Sequence, residues 1–136
     1  MPAGRPRVQG ISDSASGCVT LLCALTIPGP PVPKARARVV IGHSYTPRRT
    51  QEAEVRIGDF FKVHYPHMKP STARLRVVAR FYLKGTRGDS DNFLKLLMDG
   101  LNGRAFVDDK QVDQVSVEVQ RYSPDPKTYV EIWALP

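Results

Sequence analysis

Cysteine is nearly absent: Cys18 and Cys23, five apart, are the whole complement, too few for a disulfide framework or a four-ligand metal site. Both are read as reduced, structural thiols. Long apolar runs are missing too. The one sustained stretch, Val19 to Ile27, contains Thr20 and Thr26, lacks a small-x-small cleavage site and runs into Pro28-Gly-Pro-Pro, so it reads as a buried strand rather than a signal or a membrane span. A soluble, cytoplasmic protein is expected. Acid is the third scarcity, with 13 Asp and Glu against 20 Lys and Arg and a formal net charge of +7.

What acid there is has been collected in one place. Residues 34–87 hold 13 Lys and Arg and 3 Asp and Glu, a net +10, whereas residues 88–118 hold 3 and 7, a net −4. A basic body around a concentrated acidic segment is the pattern of a protein that grips a polyanion and holds cations at one point on it.

With 136 residues, 41% of them hydrophobic, the chain suffices for one core. Residues 1–17, rich in Gly, Ser, Pro and Arg, are expected to form a flexible tail, leaving one domain over 18–136. After the first strand, prolines 28–33 exclude helix and central strand. Lys34, Arg36 and Arg38 then alternate in an extended segment and project to one side as a basic comb. Thr46-Pro47 predicts a helix start, with the helix running from Pro47 to Val63 and Val55, Phe60, Phe61 and Val63 as its apolar face.

Leu75 to Lys84 alternates, with Leu75, Val77, Ala79, Phe81 and Leu83 inward and Arg74, Arg76, Arg80 and Lys84 outward. A second helix is expected over Asp91–Leu101, burying Phe93, Leu94, Leu97, Met98 and Leu101 and closed by Asn102-Gly103. The alternating runs Val115–Gln120 and Tyr129–Leu135, separated by Ser123-Pro-Asp-Pro, are expected to pair as a hairpin. The order β-α-β-α-β-β predicts an α+β fold with a small mixed sheet packed by two main helices.

Chemistry centres on Gly88-Asp89-Ser90-Asp91. Residues two apart in extended backbone point the same way, so Asp89 and Asp91 can reach one point just before the second helix. Lys95 and Asp99 follow at intervals of four on one polar stripe. Asp108-Asp109 arrive after the helix, where the chain can fold toward its start or away from it. Each has an ordinary explanation: Asp91 as N-cap, Asp89 as turn residue, Lys95 as ion-pair partner, Asp108-Asp109 as a solvated turn. Together they suit a hard cation such as Mg²⁺ and the hydrolysis of a phosphodiester, with Lys95 stabilising developing charge. A metal-dependent nuclease is the reading from the residues. A DNA-binding or architectural module without catalysis is its rival.

Asp89-Ser-Asp91-Asn92-x-x-Lys95-x-x-x-Asp99-x-Leu101-Asn102-Gly103, followed by Phe106-Val-Asp108-Asp109-x-Gln111-Val112, resembles the signature of the RusA family of crossover junction endodeoxyribonucleases. Ile27-Pro-Gly-Pro-Pro-Val-Pro-Lys34-Ala-Arg36-Ala-Arg38 and Tyr45-Thr46-Pro47 resemble its early segment, with Ala35 and Ala37 where the family often has glycine and proline. The resemblance implies a homodimer in the cytoplasm of a bacterial or phage-infected cell. It would bind four-way DNA junctions and make paired symmetric nicks with Mg²⁺, Mn²⁺ substituting. Forks or flaps are the alternative substrates. The family's essential carboxylates, which would ligate the metal, fall on Asp89, Asp91 and Asp109 and its essential lysine on Lys95. Asp108 and Asp99 would give outer support.

Lys34, Arg36, Arg38, Arg48, Arg49, Arg76, Arg80, Lys84 and Arg87 are the candidate DNA contacts. His43, His64 and His67 are read as surface residues, because Pro66 interrupts the closest pair and imidazole does not suit Mg²⁺. Trp133, Tyr122 and Tyr129 are read as packing.

Overall fold

A computed structural model describes residues 18–35, 38–40, 43–45 and 48–136. The expectations for residues 1–17, Arg36 and the Thr46-Pro47 helix start lie outside the described residues. The elements are β1 (Thr20–Pro28), β2 (Arg38–Val40), β3 (His43–Tyr45), α1 (Arg48–His64), β4 (Leu75–Tyr82), α2 (Ser90–Leu101), β5 (Val112–Gln120) and β6 (Lys127–Ala134), with a 3₁₀ turn at Asp109–Gln111 before β5. The result is the expected α+β domain with a mixed sheet and two helices. One element is additional: β2 and β3 pair antiparallel as a separate two-stranded ribbon, Arg38 opposite Tyr45, where only an extended comb was expected.

The main sheet has the order β1-β6-β4-β5. This corrects the expected hairpin. β5 does not pair with β6; it lies parallel to β4 at an edge, reached through the α2 crossover, and β6 inserts antiparallel between β1 and β4. Parallel neighbours require such a crossover, so the β4-α2-β5 unit places α2 against the sheet and sends the last strand to the centre.

Position in the sheet explains the composition of the two terminal strands. Central β6 is buried along most of its length, and even Glu131 is inside, accepting hydrogen bonds from Trp133 Nε1 at 2.9 Å and from the Tyr129 hydroxyl. Burial, followed by the bond to Glu131, holds the Tyr129 phenol above its ordinary value. Edge strand β5 leaves Val115 about half exposed. On the other edge the Tyr65 hydroxyl donates to the Ala24 carbonyl at 2.9 Å and accepts from its N–H at 3.1 Å, closing part of the β1 edge to further pairing. Cys23, buried in β1, has its thiol pushed up to about 12 by desolvation, so it packs as an apolar group, and Cys18 is a free, exposed thiol.

β4 buries Leu75, Val77, Ala79 and Phe81 as the alternation predicts, and α2 buries Phe93, Leu96, Leu97, Met98 and Leu101 against them. Helix α1 does not use the face assigned from sequence. It buries Thr50, Ile57, Gly58 and Phe61, with Phe60 partly covered, whereas Val55 and Val63 stand exposed. The buried stripe runs through a threonine that accepts from the Ala35 N–H and a glycine that faces the Arg104 side chain, and α1 meets α2 between them at Ile57.

A Cβ on Gly100 would lie 2.8 Å from Cβ and Cγ2 of Ile57 and 3.1 Å from the Glu54 carbonyl, a contact with backbone and branched side chain that cannot swing away. Gly100→Ala is therefore expected to destabilise the fold by about 1–3 kcal/mol despite alanine's better helix propensity. Gly58→Ala, whose Cβ meets only the movable Arg104 side chain, should lower the thermal midpoint by less. Equal effects would count against the close approach of the helices.

Candidate active site

β4 delivers the chain to the site. Its continuation is held where the Leu83 N–H donates to the Gln120 carbonyl at 2.8 Å and the Leu83 carbonyl accepts from the Ser123 N–H at 2.7 Å. The loop then turns at Gly88, where φ is +92° and a Cβ would run into the Phe93 ring. Only glycine fits both conditions. Arg121 Nη2 donates to the Gly88 carbonyl at 3.1 Å and fixes the turn from outside.

Asp89 follows as the N-cap of α2, with extended dihedrals (φ −104°, ψ 144°), and its backbone carbonyl accepts from the N–H groups of Asn92 and Phe93 at 3.0 and 3.2 Å. Its carboxylate makes no cap bond. An aspartate at this position ordinarily accepts from the next helical N–H groups and stabilises the helix by about 1 kcal/mol. Here that stabilisation is forgone, and the carboxylate has no hydrogen bond or ion pair with another described residue. Asp91, the acid of the first helical turn, is exposed and equally without such a partner. The ordinary reading of Asp91 as the cap is thus excluded.

Lys95, one turn on, is exposed and forms no ion pair with Asp91 or Asp99. Asp99 is tied elsewhere, 2.8 Å from Lys34 Nζ, which also lies 2.5 Å from Glu54 Oε2 on α1. Partial burial would lower the Lys34 ammonium's pKa, and the bonds to Asp99 and Glu54 outweigh it, leaving the group above its ordinary value.

After α2 the chain is strapped to the segment before β4. Ser71 N–H donates to the Ala105 carbonyl at 3.0 Å, and Val107 N–H donates to the Ser71 carbonyl at 3.2 Å. Asp108 caps the 3₁₀ turn: its carboxylate accepts from the Lys110 N–H at 3.1 Å, and its own N–H donates to Gln111 Oε1 at 2.9 Å. Gln111 Nε2 then reaches the carbonyls of Ser71 and Ala73 at 2.7 and 2.9 Å. Asp108 is therefore a structural cap, and the Lys110 N–H, followed by Asp109, holds its carboxyl below the ordinary range.

Asp109 is left free of this cap. The bond it shares with Asp108, burial, and the charges of Asp108 and Asp99 hold its carboxyl above the ordinary range. The chain has folded back along α2 far enough for Asp109 to feel Asp99, on the Asp91–Lys95–Asp99 stripe. It is not gathered with Asp89 and Asp91: among the described residues no three His, Cys, Asp or Glu side chains form a group that could hold a metal ion. The donors themselves are hard carboxylate oxygens, those of Asp89 and Asp91 without partners among the described residues, which is the chemistry that suits Mg²⁺ or Mn²⁺.

Asp89 lies on the wall of a cleft of about 1070 Å³. The opposite walls are the segment Pro31–Ala35 and the first turn of α1, and the cations along it are Lys34, Arg49, Lys84 and Arg87. Arg49, Lys84 and Arg87 have no ion pair with a described residue.

The other candidate cations lie elsewhere. Arg48 pairs with Glu52 at 3.2 Å on the exposed side of α1. Arg76 and Arg80 alternate with the buried residues of β4, on the sheet face away from the helices. Arg80 pairs with Glu118 at 3.3 Å, and its guanidinium carbon lies 5.6 Å from the centroid of the Tyr129 ring. Arg38 begins β2. Glu54 escaped the sequence reading, and Gln111 was noted only as a position of the motif, without its capping role. Nothing local marks Glu54 as the counter-ion of Lys34, whereas Asp108-x-x-Gln111 is a capping-box spacing that could have been read.

No helix among the described residues is long and apolar enough to cross a membrane. No curated protein matches the sequence. The family model for endodeoxyribonuclease RusA matches residues 28–133, a span that runs from the end of β1 into β6 and holds every acid of the site, and the chain belongs to that family.

Proposed function

We propose that the chain is a metal-dependent, structure-selective endonuclease that resolves four-way DNA junctions as a homodimer, by paired symmetric nicks. The observation that carries the reading is the N-terminus of α2. The Asp89 carboxylate, placed to cap the helix on the wall of a basic cleft, is withheld from it, and Asp91 in the first helical turn has no partner among the described residues. A pure DNA binder has no use for uncompensated acids facing phosphate. They cost it affinity.

Asp89 and Asp91 would hold Mg²⁺, with Mn²⁺ substituting; Asp109, the third ligand of the family pattern, would have to draw in toward the same ion, because the three are not grouped in this structure. When bound, the cation supplies an activated water and neutralises charge on the scissile phosphate. The protein's own part is positional. The turn at Gly88 puts Asp89 at the N-cap of α2 with Asp91 in the first turn, and Arg49, Lys84 and Arg87 draw the phosphodiester backbone along the cleft. Lys95, one turn after Asp91 and without an ion pair among the described residues, carries an ammonium that would stabilise negative charge as the phosphate is attacked. Asp108 holds the turn that carries Asp109. Carboxylates without a cation repel phosphate and a bound cation removes that repulsion, which links cutting to metal, while the cations of the cleft carry binding without it.

The test is to map cuts on fixed and mobile four-way junctions, forks and flaps of one sequence, in Mg²⁺ and with EDTA. Paired nicks placed symmetrically across the four-way junction, absent in EDTA, are expected. Efficient cutting of forks or flaps with the junction left intact would replace the junction by those substrates.

A further inference from the structure

Lys34 has the sequence position of a phosphate contact and the surroundings of something else. Its ammonium sits between Glu54 of α1 at 2.5 Å and Asp99 of α2 at 2.8 Å, with the three side chains only 21%, 24% and 28% exposed. Its backbone N–H donates to the Asn92 carbonyl in the first turn of α2 at 2.9 Å. The next residue, Ala35, donates its N–H to Oγ1 of the buried Thr50 in the first turn of α1 at 3.3 Å. At the other end of the segment, Arg56 Nη2 donates to the Pro28 carbonyl at 2.7 Å. The proline-rich connection is therefore stitched to both helices at points that bracket the cleft.

An ammonium already held by two carboxylates has little left for a phosphate. Reaching DNA would strand Glu54 and Asp99 without their cation, a loss comparable to what a new phosphate interaction would return. The same geometry gives it another use. α1 and α2 converge at Ile57 and Gly100, one turn from Glu54 and next to Asp99, and Lys34 bridges the two helices beside that crossing.

We infer that Lys34 is a positioning residue, a clasp between Glu54 and Asp99 that fixes the Pro28–Ala35 wall against the start of α2 and so sets where DNA lies relative to Asp89 and Asp91. The effect on cutting rests on the nuclease reading; the clasp itself does not. Asp99 acts through Lys34 rather than on substrate.

Three variants test it: Lys34→Met, which keeps the stem and removes the charge, Glu54→Gln, which keeps the shape and loosens the lysine, and Lys34→Arg, which keeps the clasp. Amide hydrogen exchange without DNA or metal reads the wall directly. Protection at Lys34 and Ala35 should fall in Lys34→Met and Glu54→Gln and persist in Lys34→Arg. On a saturated four-way junction with Mg²⁺, the first two variants should nick ~10- to 100-fold more slowly, the range typical when a support of a reactive group is removed. Junction affinity in EDTA should stay within about 3-fold and the slope of log K against log salt should not change.

Unchanged exchange in both variants would overturn the clasp. So would a slope lowered by ~0.9 in Lys34→Met with the rate at saturation intact, or tighter binding by Glu54→Gln, since each marks a lysine working as a phosphate contact. Failure of the wild type to cut any branched DNA would sink the nuclease reading, while the exchange measurement would still decide the clasp.

Discussion

Asp91→Asn is expected to bind a four-way junction as tightly as the wild type, or more tightly, and to nick it ~10³-fold more slowly. The rate follows from the several kilocalories of charge stabilisation a cation contributes to phosphoryl chemistry, at a factor of ten for each ~1.4 kcal/mol. The amide keeps the shape and one oxygen but gives up the charge that holds a hard cation. The binding follows from position. Asp91 is exposed in the first turn of α2 and has no partner among the described residues, so on the proposed reading its removal relieves repulsion of phosphate and breaks no contact. Thermal stability should change little, because no hydrogen bond is broken. Gel-shift titration in EDTA beside single-turnover nicking in Mg²⁺ checks both halves. A variant that cuts at the wild-type rate would remove Asp91 from the chemistry, and one that loses binding in proportion would make it a structural residue.

Replacing Arg49, Lys84 and Arg87 together with alanine should do the reverse, lowering binding while the rate at saturation survives. Each phosphate contact contributes ~0.9 to the slope of log K against log salt, so the triple variant is expected to lose up to ~2.7 in slope and on the order of 10²- to 10³-fold in affinity at ~0.1 M salt. Composition does not separate these three from the other basic residues of the chain; position does. They line the cleft that Asp89 borders and have no ion pair with a described residue. Arg76→Ala with Arg80→Ala is the control. Those side chains are on the other face of the sheet and Arg80 already has Glu118, so the slope should fall by much less. If both sets lower it equally, DNA wraps the molecule rather than entering the cleft.

Elements governed by local periodicity were legible in the sequence, and pairings between distant segments were not. β1, β4 and α2 fall within a residue or two of their expected positions because alternation in Leu75–Phe81 and 3.6-residue spacing in Phe93–Leu101 depend on neighbours alone. The β5–β6 hairpin was the wrong inference from two correct strands, since which strand fills the centre of a sheet is decided by the α2 crossover. The β2–β3 ribbon is too short to announce itself at three residues a strand. The inner face of α1 was hidden because it runs through Thr50 and Gly58, which hydropathy scores as neutral and which face Ala35 and the Arg104 side chain.

The site divides in the same way. Asp89 and Asp91 are two apart in sequence and stand at the N-cap and in the first turn of α2, a placement that spacing alone could read. Spacing could not say that Asp89, not Asp91, is the N-cap, nor that its side chain leaves the helix uncapped. Asp108 and Asp109 looked alike as a pair. The capping box between Asp108 and Gln111 distinguishes the acid that caps a turn from the one that feels Asp99, and its spacing was there to be read. Lys34 shows the limit most plainly: its partners are 20 and 65 residues away, and in sequence it belongs to a basic comb.

The central claim is that the start of α2 gives up a helix cap to keep a carboxylate for the reaction, and Asp89→Ser tests it most directly. Serine caps helices as well as aspartate does. The variant should therefore melt at or above the wild-type temperature and bind the four-way junction undiminished, yet leave it uncut in Mg²⁺ under single-turnover conditions. Nicking at the wild-type rate by Asp89→Ser would contradict the account.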